Sequence, residues 1–168
     1  KIEFKKAVPL IKMLGVNFTR LALPQGRGML LHQREYCMHL IERFIIDNGG
    51  PPKKRKVPFI EVDKALDSKR PGVFATVARK HLGGVAYLVR NSRAEATFAV
   101  NNILREVESW SFASDERLRA LYGYLFDTVD YGMLWVMHDL DKPENMYQNQ
   151  LSDSDHGGCL ETARSTPG

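Results

Sequence analysis

The amino-acid sequence predicts an α+β fold, in which a β-hairpin is followed by amphipathic helices and a further strand. Residues 10–23 and 29–31 are rich in apolar and β-favouring residues, and they flank a turn containing Pro24, Gly26 and Gly28. From residue 32 onward the apolar residues instead recur at helical spacing. The change of period separates a strand region from a helical region.

The first helix is predicted to begin near His32. Its apolar residues fall on one helical face, namely Tyr36, Leu40, Ile41, Phe44 and Ile45. The segment Asp47-Asn48-Gly49-Gly50-Pro51-Pro52 should end this helix, because glycine serves as a C-cap and proline cannot continue a helix. Residues 47–71 are then expected to form a loop.

Three more helices and a strand are predicted after this loop. The first helix covers residues 73–89, with His81 facing the core and Gly83-Gly84 allowing close packing against another element. The second begins at Ser92, which forms a capping-box pattern with Glu95. The third begins at Ser114-Asp115-Glu116, because acidic residues favour a helix N-terminus, and residues 131–137 are predicted to form a strand.

Composition narrows the possible functions. The chain has 168 residues, with 24 Lys and Arg against 20 Asp and Glu, which gives a net charge of +4. A hydrophobic content of 43% is that of a globular protein. No uncharged apolar run reaches the ~20 residues of a membrane helix, so we expect no membrane partner. The sequence contains no Walker loop, G-x-S-x-G motif or H-E-x-x-H motif.

A basic cluster lies in the loop, where Lys53, Lys54, Arg55 and Lys56 follow two prolines. Such a cluster is typical of a nuclear localisation signal or of a loop that contacts phosphates. The same pattern also fits a solvated charge run in a loop. Arg79 and Arg93 add basic groups further along the chain.

The last residues carry two closely spaced acids, Asp153 and Asp155, after a polar stretch. Carboxylate oxygens are ligands for divalent cations, although an ordinary polar turn has the same composition. His156 and Cys159 form a pair with possible zinc spacing, but a structural zinc site needs four ligands. We therefore expect no zinc.

Six segments in collinear order resemble the Ty1/copia class of retrotransposon polyprotein. Residues 13–18 look like the family's F-L-G-I-E-I strand, and residues 28–36 are similar to its G-I-x-L-x-Q-x-K-Y. The helical matches are residues 79–88 with R-S-L-V-G-S-L-L-Y-L, 92–100 with T-R-P-D-I-S-F-A-V, and 118–125 with W-K-A-L-K-R-V-L-R-Y-L. Residues 151–168 resemble Y-S-D-A-D-W-A-G followed by R-R-S-T-S-G, whereas the basic loop is unlike the family pattern.

The resemblance implies five regions within a longer polyprotein. Residues 1–46 would be the end of the reverse transcriptase palm, and residues 47–71 a basic loop rich in proline and glycine. Residues 72–138 would be thumb and connection helices with a strand, and residues 139–150 a linker. Residues 151–168 would be the truncated start of an RNase H-like domain. The absence of an initial Met also indicates a cut segment.

The resemblance also implies two reactions, DNA polymerisation and RNA cleavage, for which this chain has only some of the catalytic residues. Family members polymerise with Mg²⁺ held by palm aspartates, including a Y-V-D-D hairpin, which this sequence lacks. Asp153 matches the first RNase H carboxylate and would ligate Mg²⁺ in the full polyprotein, whereas Asp155 corresponds to the serine of the usual Asp-Gly-Ser start and is not the expected ligand. Arg79 and Arg93 match basic positions of the family pattern and, with the basic loop, are the expected nucleic-acid contacts, with the alternative for Arg93 that it braces its helix entry.

Two functions therefore stay open. The first is a catalytically incomplete fragment of a copia-type RNA-directed DNA polymerase and ribonuclease H, which helps to grip the template–primer duplex. Its partners would be RNA or DNA and the rest of the Pol polyprotein, in a cytoplasmic particle, the nucleus or both. The second is a domesticated, non-enzymatic nucleic-acid-binding or nuclear interaction module that uses Lys53–Lys56.

Overall fold

The computed structural model describes residues 9–62, 71–142 and 144, with the backbone of residues 154–155 and 166–167. The chain divides into two units, residues 1–137 and 138–168. The described residues form four helices and a four-stranded antiparallel sheet, which confirms the predicted α+β class. In the second unit, a short pair of strands, β5 (Ser154–Asp155) and β6 (Thr166–Pro167), runs antiparallel.

The sheet has the order β1-β2-β3-β4, with β1 at Lys12–Met13, β2 at Val16–Leu23, β3 at Gly26–His32 and β4 at Met133–His138. Strands β2 and β3 pair antiparallel in a continuous register, so the predicted hairpin is confirmed. The apolar stretch expected as one strand is instead two. Leu14 and Gly15 both have positive φ, 48° and 76°, and this turn folds β1 back onto β2.

Helix α1 spans Arg34–Asn48 and ends where the glycines predicted it would. Gly49 adopts the left-handed conformation with φ 72°, which costs glycine little because it has no β-carbon. The N–H groups of Gly49 and Gly50 donate to the carbonyls of Ile46 and Ile45. Among the described loop residues 49–62, none belongs to a helix or strand, as expected.

Helix α2 spans Ala78–Ser92 and begins later than the predicted Val73. The backbone N–H groups of Val73 and Phe74 donate to the buried carboxylate of Asp115, at 2.6 and 3.1 Å. These bonds fix residues 72–77 as a turn ahead of the helix. The periodicity of the sequence did not reveal this partner, because Asp115 lies 42 residues from Val73 along the chain.

The predicted capping box at Ser92 is wrong. Ser92 is the last residue of α2, and its hydroxyl donates to Oε1 of Gln33 at 3.0 Å. Glu95 accepts a hydrogen bond from the Arg93 side chain instead of from a backbone N–H of the cap. Helix α3, at Thr97–Leu104, follows a 3₁₀ turn. The real capping box lies at helix α4, Phe112–Asp127, where Ser111 and Ser114 cap each other's backbone.

The core lies between the four helices. Phe44 of α1 stacks on Tyr122 of α4, with ring centroids 4.1 Å apart and planes 7° apart. Gly84 lets α2 approach α1, since a β-carbon there would lie 2.6 Å from Cδ2 of Leu40, whereas Gly83 faces open space. The predicted close packing is therefore confirmed at Gly84 alone. No helix in the described residues is long and apolar enough to cross a membrane.

Candidate nucleic-acid interface

The basic segment, defined as Lys53–Lys56, lies against the second half of α4. The backbone N–H of Arg55 donates to the carbonyl oxygen of Gly123 at 3.2 Å. The carbonyl oxygen of Lys53 occupies the space where any residue other than glycine would place its β-carbon at position 123. Pro52, immediately before the segment, is buried. The backbone of the segment is therefore docked on the fold, while the ammonium groups of its lysines reach solvent.

Asp127, the last residue of α4, pairs with two lysines of this segment. Its Oδ2 lies 2.6 Å from Nζ of Lys56, and its Oδ1 lies 3.7 Å from Nζ of Lys54. The hydrogen bond with Lys56 lowers the pKa of Asp127, and the same contact raises the pKa of Lys56. The two lysine side chains remain 64% and 90% exposed, so water and salt screen both pairs.

The position of the basic segment also matches the electrostatics of the helix. Carbonyl groups at a helix C-terminus carry partial negative charge and favour nearby cations. Helix α4 has no basic residue in its own last turn. Lys54 and Lys56 supply that positive charge from the loop, and Lys54 also lies 5.5 Å from the ring centroid of Phe126.

Arg79 lies in the first turn of α2 and is exposed. It makes no hydrogen bond or ion pair with any of the residues that the structure describes. Its guanidinium is therefore free to bind an anion. Among the described residues, no contact links Arg79 to the basic segment. Arg79 and the basic segment are therefore separate cationic positions.

Arg93 is placed differently from the expectation of a surface contact. Its side chain is 1% exposed and lies between the end of α2 and the end of α4. Nη1 and Nη2 donate to the carbonyl and hydroxyl oxygens of Thr128 at 3.0 and 2.6 Å, and Nε donates to Glu95 at 2.6 Å. These hydrogen bonds connect the end of α2 to the end of α4 in the interior of the protein. Arg93 is not part of the exposed basic surface.

Asp153, the predicted RNase H carboxylate, lies outside the described residues, and of Asp155 only the backbone is described. Within the described part of the chain, no group of three His, Cys, Asp or Glu side chains could hold a metal ion. A single carboxylate does not make the two-metal site that phosphodiester cleavage needs.

His81 is buried as predicted and belongs to a hydrogen-bonded chain of three side chains. Its Nε2 lies 2.9 Å from Oδ2 of Asp47, and its Nδ1 lies 3.1 Å from the hydroxyl of Tyr122. The tautomer protonated at Nε2 satisfies both contacts, since it donates to the carboxylate and accepts from the hydroxyl. Burial lowers the pKa of His81, and the nearby Asp47 opposes that shift.

Sequence reasoning missed one feature of the interface, the carboxylate that pairs with the basic segment. Asp127 gave no signal as the partner of Lys54 and Lys56, because the pairing depends on how the loop folds back onto α4. The sequence left open whether Trp135 packs in the core or stacks on bases, and in the structure it is 62% exposed on β4. The position of β4 at the edge of the sheet explains that exposure.

No family model, curated protein or solved structure matches the chain significantly. The likeness to copia-type polyproteins therefore stays a prediction from the sequence motifs.

Proposed function

We propose that this chain is a segment of a copia-type RNA-directed DNA polymerase that holds the template–primer duplex through its phosphate backbone. The order of the six matching segments supports this assignment. In it, the β2–β3 hairpin closes the palm, helices α2–α4 belong to the thumb and connection, and residues 151–168 begin the RNase H-like domain. The α+β architecture is compatible with such a division.

The observation that carries the binding function is the docked basic segment. It has four cationic side chains and, among the described residues, one partner carboxylate, Asp127, which leaves an excess of three positive charges at the end of α4. Because the backbone of the segment is fixed on Gly123, these charges are held in place before a ligand arrives. Such an array favours phosphates of any sequence and makes binding strongly dependent on salt.

The chain by itself neither polymerises nor cleaves under this proposal. Its sequence has no Tyr-x-Asp-Asp motif, and Asp153 is one carboxylate of a site that needs several. In the complete polyprotein, Mg²⁺ at Asp153 and further carboxylates would activate water and stabilise the leaving oxygen. Nucleotide incorporation by residues 1–168 on a primed template would contradict the proposal.

Binding is tested with a fluorescently labelled RNA–DNA hybrid whose anisotropy is followed against protein concentration at several salt concentrations. We expect binding without sequence preference, weakened by added salt. Lys56→Gln should weaken binding and reduce the slope of log K against log salt by about 0.9. Lys12→Gln is the matched control, because Lys12 is also exposed and pairs with one carboxylate, that of Glu35. Equal loss in both variants, or no binding, would overturn the proposal.

The non-enzymatic alternative is favoured by one observation, the presence of an exposed basic segment where the family pattern has none. A nuclear interaction module would need this segment for its location in the cell. A fluorescent fusion of the chain and its Lys54→Gln/Lys56→Gln variant distinguishes the two functions. Loss of nuclear accumulation without loss of duplex binding supports the alternative, and the opposite result supports the polymerase segment.

A further inference from the structure

The strand register places two arginines and a tryptophan on one face of the sheet. Successive residues of a strand point to opposite faces, and residues paired across antiparallel strands share a face. Arg20 pairs with Met29, and Ala22 pairs with Arg27, so both arginines lie on the same face. We call it the arginine face of the sheet.

Contacts with β4 extend this face across the sheet. Nη2 of Arg27 lies 3.7 Å from the sulfur of Met137, which places Met137 and, by alternation, Trp135 and Met133 on the arginine face. Leu134 lies on the opposite face, where its Cδ1 would be 3.4 Å from a β-carbon built at Gly28.

The part of this face that carries the arginines and the β4 side chains is open to solvent. Trp135 is 62% exposed and Met137 is 41% exposed, and both arginines are exposed as well. The only other tryptophan, Trp110, is 9% exposed, and its indole N–H donates to Asp115. Trp135 has no such partner among the described residues. The indole of Trp135, on an edge strand, is therefore largely accessible to a ligand.

The charged residues of this face on β2 and β3, Arg20 and Arg27, are both positive. Its remaining positions on β2 and β3 are uncharged, namely Val16, Phe18, Ala22, Met29 and Leu31. Within the described part of the chain, neither Arg20 nor Arg27 forms an ion pair. Two cations without ion-pair partners among the described residues share this face with an exposed aromatic ring, and this arrangement complements a partner that carries negative charges between planar apolar groups.

We propose that the arginine face binds a single-stranded stretch of nucleic acid. One base stacks on Trp135 beside Met137, and Arg20 and Arg27 contact the phosphates that flank it. An indole can accept a base only where that base is unpaired, which selects a single strand over a duplex. Strand β3 lies between β2 and β4, so Arg20 is two strand spacings, about 10 Å, from the strand of Trp135.

This inference rests on the proposed nucleic-acid function but uses a different surface and a different form of the ligand. The basic segment would hold the duplex, whereas the arginine face would hold an unpaired strand. The two surfaces share no residue. Their variants therefore report on them independently.

The test uses the full chain with single-stranded oligothymidylate, followed by tryptophan fluorescence. Stacking should quench Trp135, while Trp110 provides an unquenched background. We expect Trp135→Leu to abolish the quenching and weaken binding about tenfold, and Trp135→Phe to retain most of the affinity. Arg20→Gln/Arg27→Gln should reduce the salt slope by about 1.4. Val136→Ala, on the opposite face of the same strand, is the matched control and should bind as the wild type does.

Four results would overturn the inference. Oligothymidylate that binds without quenching, or equally well to Trp135→Leu, excludes stacking, while the function of the basic segment stands if duplex binding still depends on Lys56. Absence of binding to both duplex and single strand removes the proposed function and the inference together. Self-association that buries Trp135 and is lost in Trp135→Leu, detected by sedimentation, assigns the face to a second copy of the chain.

Discussion

Nζ of Lys56 lies 2.6 Å from Oδ2 of Asp127, and Lys54 approaches the other oxygen of the same carboxylate. One acid therefore occupies two of the lysines that we assign to phosphate binding. A phosphate that reaches the basic segment competes with Asp127 for these ammonium groups. Asp127 thus lowers the affinity of the segment for nucleic acid while it keeps the lysines in position.

Asp127→Asn is expected to strengthen duplex binding several-fold, because it removes a competing charge but keeps a hydrogen-bond acceptor. Anisotropy titrations with the RNA–DNA hybrid measure the effect. Glu35→Gln is the matched control, since it frees Lys12 in the same way on the sheet and should leave binding unchanged. Weaker binding by Asp127→Asn would mean that the carboxylate matters more for holding the segment than for competing with phosphate.

Gly123→Ala should detach the basic segment from α4. The added methyl group would collide with the carbonyl oxygen of Lys53, a backbone atom that moves only if the segment shifts. We expect a loss of about 2 kcal/mol in the free energy of unfolding, measured with urea, and weaker duplex binding. Gly83→Ala is the control in an exposed helical position with no atom within 4 Å, and it should gain about 0.5–1 kcal/mol. A similar gain in Gly123→Ala would show that the segment does not dock there.

Local patterns in the sequence predicted the hairpin and the end of α1, because turn chemistry and helix capping depend on neighbouring residues. They did not predict where α2 begins, since that boundary depends on bonds to Asp115 in another helix. The capping box at Ser92 failed for the same reason, because its hydroxyl donates to Gln33, which lies 59 residues away along the chain.

The sequence predicted which residues belong to the candidate site, but it did not predict how these residues are arranged on the surface of the fold. A run of four basic residues is visible in any sequence, whereas its docking on Gly123 and its pairing with Asp127 depend on the folded loop. Burial likewise decides that Arg79 faces solvent and Arg93 does not, although the two arginines look alike in the sequence. Contacts with residues that are distant in the sequence distinguish the buried arginine from the exposed one.

Stability should fall on acidification because of His81. Burial holds its pKa below 6.5 in the folded chain, so the unfolded chain binds more protons as the pH falls through that value. The free energy of unfolding is therefore expected to decrease from about pH 6.5 downward until the folded-state pKa is reached. Urea unfolding between about pH 5 and pH 8 measures this slope.

The matched variants for this prediction are His81→Gln and His39→Gln. Glutamine at position 81 can still donate to Asp47 and accept from Tyr122, but it does not titrate, so its contribution to the slope should vanish. His39 lies on the exposed side of α1, so His39→Gln controls for the loss of a histidine outside this chain of hydrogen bonds. An unchanged slope in His81→Gln would assign the pH dependence to another group.

Arg93→Lys separates an internal role from a ligand-binding role. The guanidinium donates to both oxygens of Thr128 and to Glu95, and a lysine cannot reproduce this planar arrangement. Lost bonds to a buried charged group should lower the free energy of unfolding by about 3 kcal/mol. The folded variant should nevertheless bind the duplex as the wild type does.

Arg79 provides the opposite case on the same helix. It is exposed and has no partner among the described residues, so Arg79→Gln should leave the urea midpoint unchanged. If it contacts a phosphate, the variant should lose affinity and about 0.9 of the salt slope. If Arg93→Lys is as stable as the wild type but binds the duplex more weakly, Arg93 is a ligand contact and has no internal structural role. A guanidinium that affects binding without affecting folding must reach the ligand.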